Sequence, residues 1–81
     1  MSAIDEAKNQ LIEMVKTMNA QVLCEVPEGT TGGLFQITLS TKDKKLPLPL
    51  SEDDLLDFLE DPGKMKEIRG QVEQLIRDLK S

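Results

Sequence analysis

The sequence predicts a two-layer α+β domain in the order α-β-β-β-α-α, with all helices on one face of a three-stranded antiparallel sheet. Apolar residues recur every three or four positions near both ends of the chain, which is typical of helices. Through the middle they alternate with polar residues, which is typical of half-buried strands. The 81 residues suffice for one domain and are too few for two, so we expect a single domain over residues 1–81.

The first helix is predicted over residues 3–18. Ser2 is a suitable N-cap, and Asn19 is a suitable stop. The apolar stripe of this helix consists of Ile4, Ala7, Leu11, Met14, Val15 and Met18.

Three strands are predicted next, over AQVLCEV (20–26), LFQITLS (34–40) and the segment that contains LPLPL (46–50). Pro27 ends the first strand, PEGTTGG (27–33) forms a hairpin loop, and residues 41–44 form a polar turn. Because the connections are short, the second strand is expected in the centre of the sheet.

Two helices complete the predicted fold. Ser51 caps the first of them, with Asp54 three residues on in a capping-box pattern. Asp61 and Pro62 then form an N-cap followed by proline at the first helical position, so a new helix begins there and runs to about Leu79. Its apolar stripe consists of Met65, Ile68, Val72, Leu75, Ile76 and Leu79.

The LPLPL segment indicates how the sheet edges differ. If the leucines face the core, Pro47 and Pro49 point along the outer edge, where no N–H donor is needed, and they block strand addition. A polyproline ligand for an aromatic groove is the alternative, which the position between a strand and a capped helix disfavours. The first strand is then the unblocked edge, with Leu23 and Glu25 on its outer side. It is open to a partner strand or to a second copy, unless a helix or the first loop covers it.

Catalytic, metal and cofactor chemistry find little support in the sequence. The chain has no histidine, and its single cysteine, Cys24, falls on the apolar side of a strand. The usual zinc ligand sets are therefore excluded, and the acids of 51–61 lack the spacing of a calcium loop. Loop 27–33 lacks the phosphate-binding pattern. We expect no enzyme activity, no catalytic residue, no metal and no cofactor.

Charge is concentrated in one segment. Residues 51–61 hold six of the fifteen acids and no base, although the net charge of the chain is only -5. On a helix, these acids form one face, which favours a partner with a basic surface. The alternative is a solvated face that keeps the protein soluble. The acidic balance and the two aromatic residues argue against direct binding of nucleic acid.

Localisation and membrane association follow from composition. No apolar stretch is long enough to cross a bilayer. The acidic N-terminal segment and the lone cysteine predict a cytoplasmic protein.

The leading functional hypothesis is a non-enzymatic protein-binding module, acting as an adaptor or regulatory subunit. A homodimer is a second expectation, because a thin core gains from association. The alternative is a small acidic inhibitor, of the antitoxin, immunity or phage-inhibitor type, that occupies a basic or nucleic-acid-binding surface; this comparison rests on charge and size alone. The predicted partner-binding residues are Leu23, Glu25, Asp53, Asp54, Asp57 and Glu60.

Overall fold

A computed structural model describes residues 2–81 and confirms the predicted element order and fold class. The three strands form one antiparallel sheet in the order of the sequence, with the second strand in the centre. The buried apolar side chains of all three strands lie on the side of the sheet that the helices cover. The elements are α1 (Ala3–Met18), β1 (Leu23–Glu25), β2 (Leu34–Ser40), β3 (Lys45–Ser51), α2 (Glu52–Glu60) and α3 (Pro62–Lys80).

The ends of α1 follow the predicted caps. The Ser2 side chain accepts a hydrogen bond from the Asp5 N–H at 3.2 Å, and the Asn19 N–H donates to the Val15 carbonyl at 2.9 Å. These bonds satisfy backbone groups that a helix end otherwise leaves without partners. The Ser2 side chain therefore sets the start of α1, and a backbone bond from Asn19 closes its last turn.

Strand β1 is shorter than predicted, because it covers only Leu23–Glu25 of the expected segment 20–26. The Val22 N–H donates to the Asn19 carbonyl at 3.1 Å, so the chain is still in a turn where the strand was expected to begin. At the other end, Pro27 lacks an N–H and cannot extend the ladder. Local turn bonds and proline thus cut the alternating segment to three residues.

The register of the sheet decides which backbone groups its edges present. Pro47 lies opposite Thr38 and Pro49 opposite Gln36. Since proline cannot donate, these are non-hydrogen-bonded pairs, and both proline carbonyls point away from β2. The backbone groups of Thr38 then face β1, so its partner Glu25 is hydrogen-bonded to β2. By the same alternation, the N–H and C=O of Cys24 point outward at the free edge.

The core is built almost entirely from aliphatic side chains. Phe35 and Phe58 are its only aromatic members within residues 2–81. Met65 departs from the predicted stripe of α3, since it is 39% exposed and the buried part of the helix begins at Ile68. The buried hydrophobic residues are Ala7, Leu11, Val15, Val22, Cys24, Phe35, Ile37, Leu39, Leu48, Leu50, Leu55, Phe58, Ile68, Val72, Ile76 and Leu79.

The junction of α2 and α3 is a single residue. Asp61 is the C-cap of α2 and also the N-cap of α3, where its side chain accepts from the Gly63 N–H at 2.9 Å. Pro62 occupies the first position of α3, as predicted. This tight joint turns the chain sharply and lays α3 against β2 and β3.

Candidate protein-binding surfaces

The side of the sheet away from the helices is an open face, on which Leu23 is the most exposed large apolar residue, at 57%. Cross-strand partners point to the same side of a sheet, so the register places Leu23 in one row with Ser40 and Lys45. Ser40 is buried despite lying on this side. The outward positions of the three strands, which define the open face, are Leu23, Glu25, Leu34, Gln36, Thr38, Ser40, Lys45, Pro47, Pro49 and Ser51.

Glu25 lies one row further along the open face, beside Thr38 and Pro47. It is exposed, like Leu23. The two predicted residues of β1 therefore share a surface that combines one apolar side chain with one carboxylate. Because β1 has only three residues, the side chains of this surface offer more contact than its backbone edge does.

Three of the four predicted acids of α2 are exposed, namely Asp53, Asp57 and Glu60. Within residues 2–81 none of them belongs to an ion pair. No base occurs in α2 itself. The exposed side of α2 thus carries negative charge that nothing on its own helix offsets.

Asp54 differs from the other three acids because the fold already uses it. Its carboxylate accepts from the Ser51 N–H at 3.1 Å and lies 3.0 Å from the Lys64 ammonium. The hydrogen bond from the Ser51 backbone, followed by that from Lys64, lowers the pKa of Asp54 below its ordinary value of 3.8. Asp54 therefore fixes the start of α2 and ties it to α3, which leaves it little capacity for a partner.

The two sets of predicted residues lie on different layers. Leu23 and Glu25 belong to the open face of the sheet, whereas the acids belong to α2, which packs between α1, α3 and β3 in the helix layer. A partner with one flat surface therefore cannot contact the sheet residues and the acids of α2 at the same time. They are two surfaces rather than one site.

Cys24 is the one side chain of the β1 segment with nucleophilic chemistry, and its surroundings suppress that chemistry. The thiol is buried in the core beside β2, and desolvation raises its pKa from 9.0 to about 11. Near neutral pH the group is a protonated thiol with an apolar role.

Residues 2–81 offer neither a cluster of metal ligands nor a helix suited to a bilayer. No three acidic, cysteine or histidine side chains in this range are grouped so that they could hold a metal ion. No helix there has the length and apolar character that a bilayer span requires.

A groove between β3 and α3 was not predicted. It has a volume of about 380 Å³ and is lined by Pro47, Leu48, Pro49, Gln71, Gln74 and Leu75. The sequence predicts Pro47 and Pro49 as edge residues, but nothing in it places a particular side of α3 beside them. The groove arises from tertiary packing alone.

The fold and these surfaces define a small α+β domain with an open sheet face, an acidic helix and an edge groove. Comparison with protein-family models, with curated proteins and with solved structures found no match for this chain. The surfaces of the domain are therefore the features that bear on its function.

Proposed function

We propose that this protein is a small non-enzymatic protein-binding module, an adaptor or regulatory subunit, that docks on a partner through the open face around Leu23 and Glu25. The observation that carries the proposal is the 57% exposure of Leu23 on a sheet face that no helix covers. A protein interface usually has an apolar centre and a polar rim, and Leu23 with its polar neighbours has this composition. Leu23 is not part of the buried core, so its exposed side chain is available for contact with a partner protein.

The test compares two lysine substitutions with the same charge change. Leu23→Lys places a cation in the proposed interface, while Gln10→Lys places one on the exposed side of α1. Both sites are exposed, so each variant is expected to stay within about 0.5 kcal/mol of the original stability. Circular dichroism checks that both variants fold.

The readout is affinity capture from lysate followed by mass spectrometry, with the amount of each captured protein compared among the variants. We expect one partner to be retained stoichiometrically by the original chain and by Gln10→Lys, and to be reduced at least about tenfold with Leu23→Lys. Retention at high salt supports an apolar contact. Equal capture by all three chains contradicts docking at Leu23.

A second candidate function is favoured by the exposed carboxylates of α2. In this alternative the protein is an acidic inhibitor, and Asp53, Asp57 and Glu60 occupy a basic surface of the target. The matched variant is Asp53→Asn, Asp57→Asn and Glu60→Gln together, with Asp54 kept because it closes the capping box. Loss of a salt-sensitive partner in this variant, with retention in Leu23→Lys, selects the inhibitor over the adaptor.

A further inference from the structure

At Pro47 and Pro49, the outer edge of β3 offers hydrogen-bond acceptors without donors. The carbonyls of Pro47 and Pro49 both point away from β2, and neither residue has an N–H. An approaching strand needs both donors and acceptors in alternation, so this edge rejects a strand. The carbonyls of Pro47 and Pro49 can bind only a group that donates hydrogen bonds.

The α3 side of the groove adds amide oxygens that can also accept hydrogen bonds. The Gln74 Nε2 donates to the Asp78 carboxylate at 3.2 Å, which uses one of the two N–H donors of that amide. The Oε1 of Gln74 keeps its acceptor capacity, and the amide of Gln71, one turn earlier, can present its oxygen as well. Leu75 is half-buried and supplies an apolar surface between the two glutamines and the prolines.

The ligand that fits has several donors, no acceptor, a flat shape and an apolar stem. We propose that the groove between β3 and α3 binds the guanidinium group of an arginine side chain on a partner protein segment. Guanidinium has five N–H donors and no acceptor, and its planar group spreads them along a groove better than the compact ammonium of lysine does. The apolar stem of arginine packs on Leu75 and the proline rings.

The charges around the groove are compatible with a cation. The lining residues carry no charge, and Asp78 adds a carboxylate behind Gln74. Bases also lie around the groove: the ammonium of Lys44 donates to the carbonyls of Asp78 and Ser81, Lys45 lies on the open face, and Arg77 follows Gln74 by three residues in α3. The ammonium of Lys44 is thus engaged with main-chain carbonyls at the C-terminus of α3, and the net charge of -5 favours a cationic ligand.

This inference goes beyond the proposed function and uses other residues. Leu23 lies on β1, at the opposite edge of the sheet, so docking at the open face and arginine binding at the groove can fail independently.

The test is a titration followed by ¹⁵N-¹H NMR with N-acetyl-arginine amide as the probe. N-acetyl-citrulline amide is the matched control, since it keeps the shape but replaces one donor group with a carbonyl and removes the charge. We expect arginine to shift the signals of Gln71, Gln74 and Leu75, with citrulline at least about tenfold weaker, because citrulline lacks the charge and its carbonyl finds no N–H at Pro47 or Pro49.

Variants at exposed positions complete the test. Gln74→Lys, which places a cation in the groove, is expected to weaken arginine binding at least about tenfold, whereas Gln10→Lys on α1 leaves it unchanged. A dispersed spectrum shows that each variant is folded. Three results overturn the proposal: shifts confined to the acids of α2, equal binding of arginine and citrulline, or undiminished binding by Gln74→Lys. A tryptophan amide that binds more tightly than arginine also overturns it, because indole shares the donor without the charge.

Discussion

Replacing Asp54 with alanine tests how the fold uses one acid of α2. The substitution removes the acceptor for the Ser51 N–H and the ion pair with Lys64. Loss of a capping interaction costs about 1 kcal/mol. The side chains of the ion pair are 33% and 23% exposed, so the pair adds about 0.2–1 kcal/mol. We therefore expect Asp54→Ala to lower the free energy of unfolding by about 1–2 kcal/mol near neutral pH.

Urea unfolding followed by far-ultraviolet circular dichroism measures this change, since the chain contains no tryptophan or tyrosine for fluorescence. A double-mutant cycle with Lys64→Met separates the ion pair from the cap. We expect a coupling free energy between the two sites of about 0.2–1 kcal/mol, with the remainder of the Asp54 effect left in the Lys64→Met background. Asp57→Ala is the control, because this exposed acid belongs to no ion pair within residues 2–81.

The pH dependence follows from the lowered pKa of Asp54. A carboxyl whose pKa is lower in the folded state stabilises the fold above its unfolded value, near 3.8, and loses that contribution as the pH falls through the folded value. The stability difference between the original chain and Asp54→Ala should thus be constant around pH 7 and shrink below about pH 3.8. A variant as stable as the original at pH 7, or a difference that grows on acidification, refutes this reasoning.

Three further predictions concern glycines and the thiol. Gly70→Ala should raise the free energy of unfolding by up to about 1 kcal/mol, because an added Cβ meets nothing within 4 Å and α3 gains helix propensity; urea unfolding measures it. Gly33→Ala should lower it by about 1–2 kcal/mol, because Gly33 has φ +82, whereas Gly29→Ala in the same loop is the control without a positive φ. Equal effects at the two loop glycines contradict the conformational argument. The Cys24 thiol should react with a disulfide reagent at least about 100-fold more slowly in the native protein than in urea, because burial and a pKa of about 11 reduce the thiolate; rapid labelling without urea contradicts its placement in the core.

Local signals in the sequence predicted most of the fold. Ser2, Ser51 and Asp61 each cap a helix in the structure as the capping pattern indicates. Hydrophobic periodicity placed every helix and strand in the correct order, because each period reports the spacing of one buried face. The start of β1 was predicted less well, since the hydrogen bond from the Val22 N–H to the Asn19 carbonyl depends on a turn geometry that alternation does not encode.

The candidate surfaces depended more on tertiary contacts. Asp54 has the same charge as Asp53 and Asp57 and lies in the same acidic segment. Only the position of α3 brings Lys64 to it. The capping pattern did mark Asp54 as a structural residue, which was a signal against placing it in a binding face. The groove beside Pro47 had no local signal, because Gln71 lies 24 residues away in the chain and meets β3 only through the packing of α3.

The two edges of the sheet are chemically unequal, and this limits how copies of the chain can associate. The β1 edge presents the N–H and C=O of Cys24, so it can pair with the same edge of a second copy around a two-fold axis. On the β3 edge, Lys45 is followed by Pro47 and Pro49, which present outward carbonyls without N–H donors, so a third copy finds no continuous ladder there. Strand addition at the β1 edge would therefore stop at two copies rather than propagate into a filament. The same prolines that stop propagation leave the acceptors that favour arginine, so one sequence feature accounts both for the blocked edge and for the chemistry of the groove.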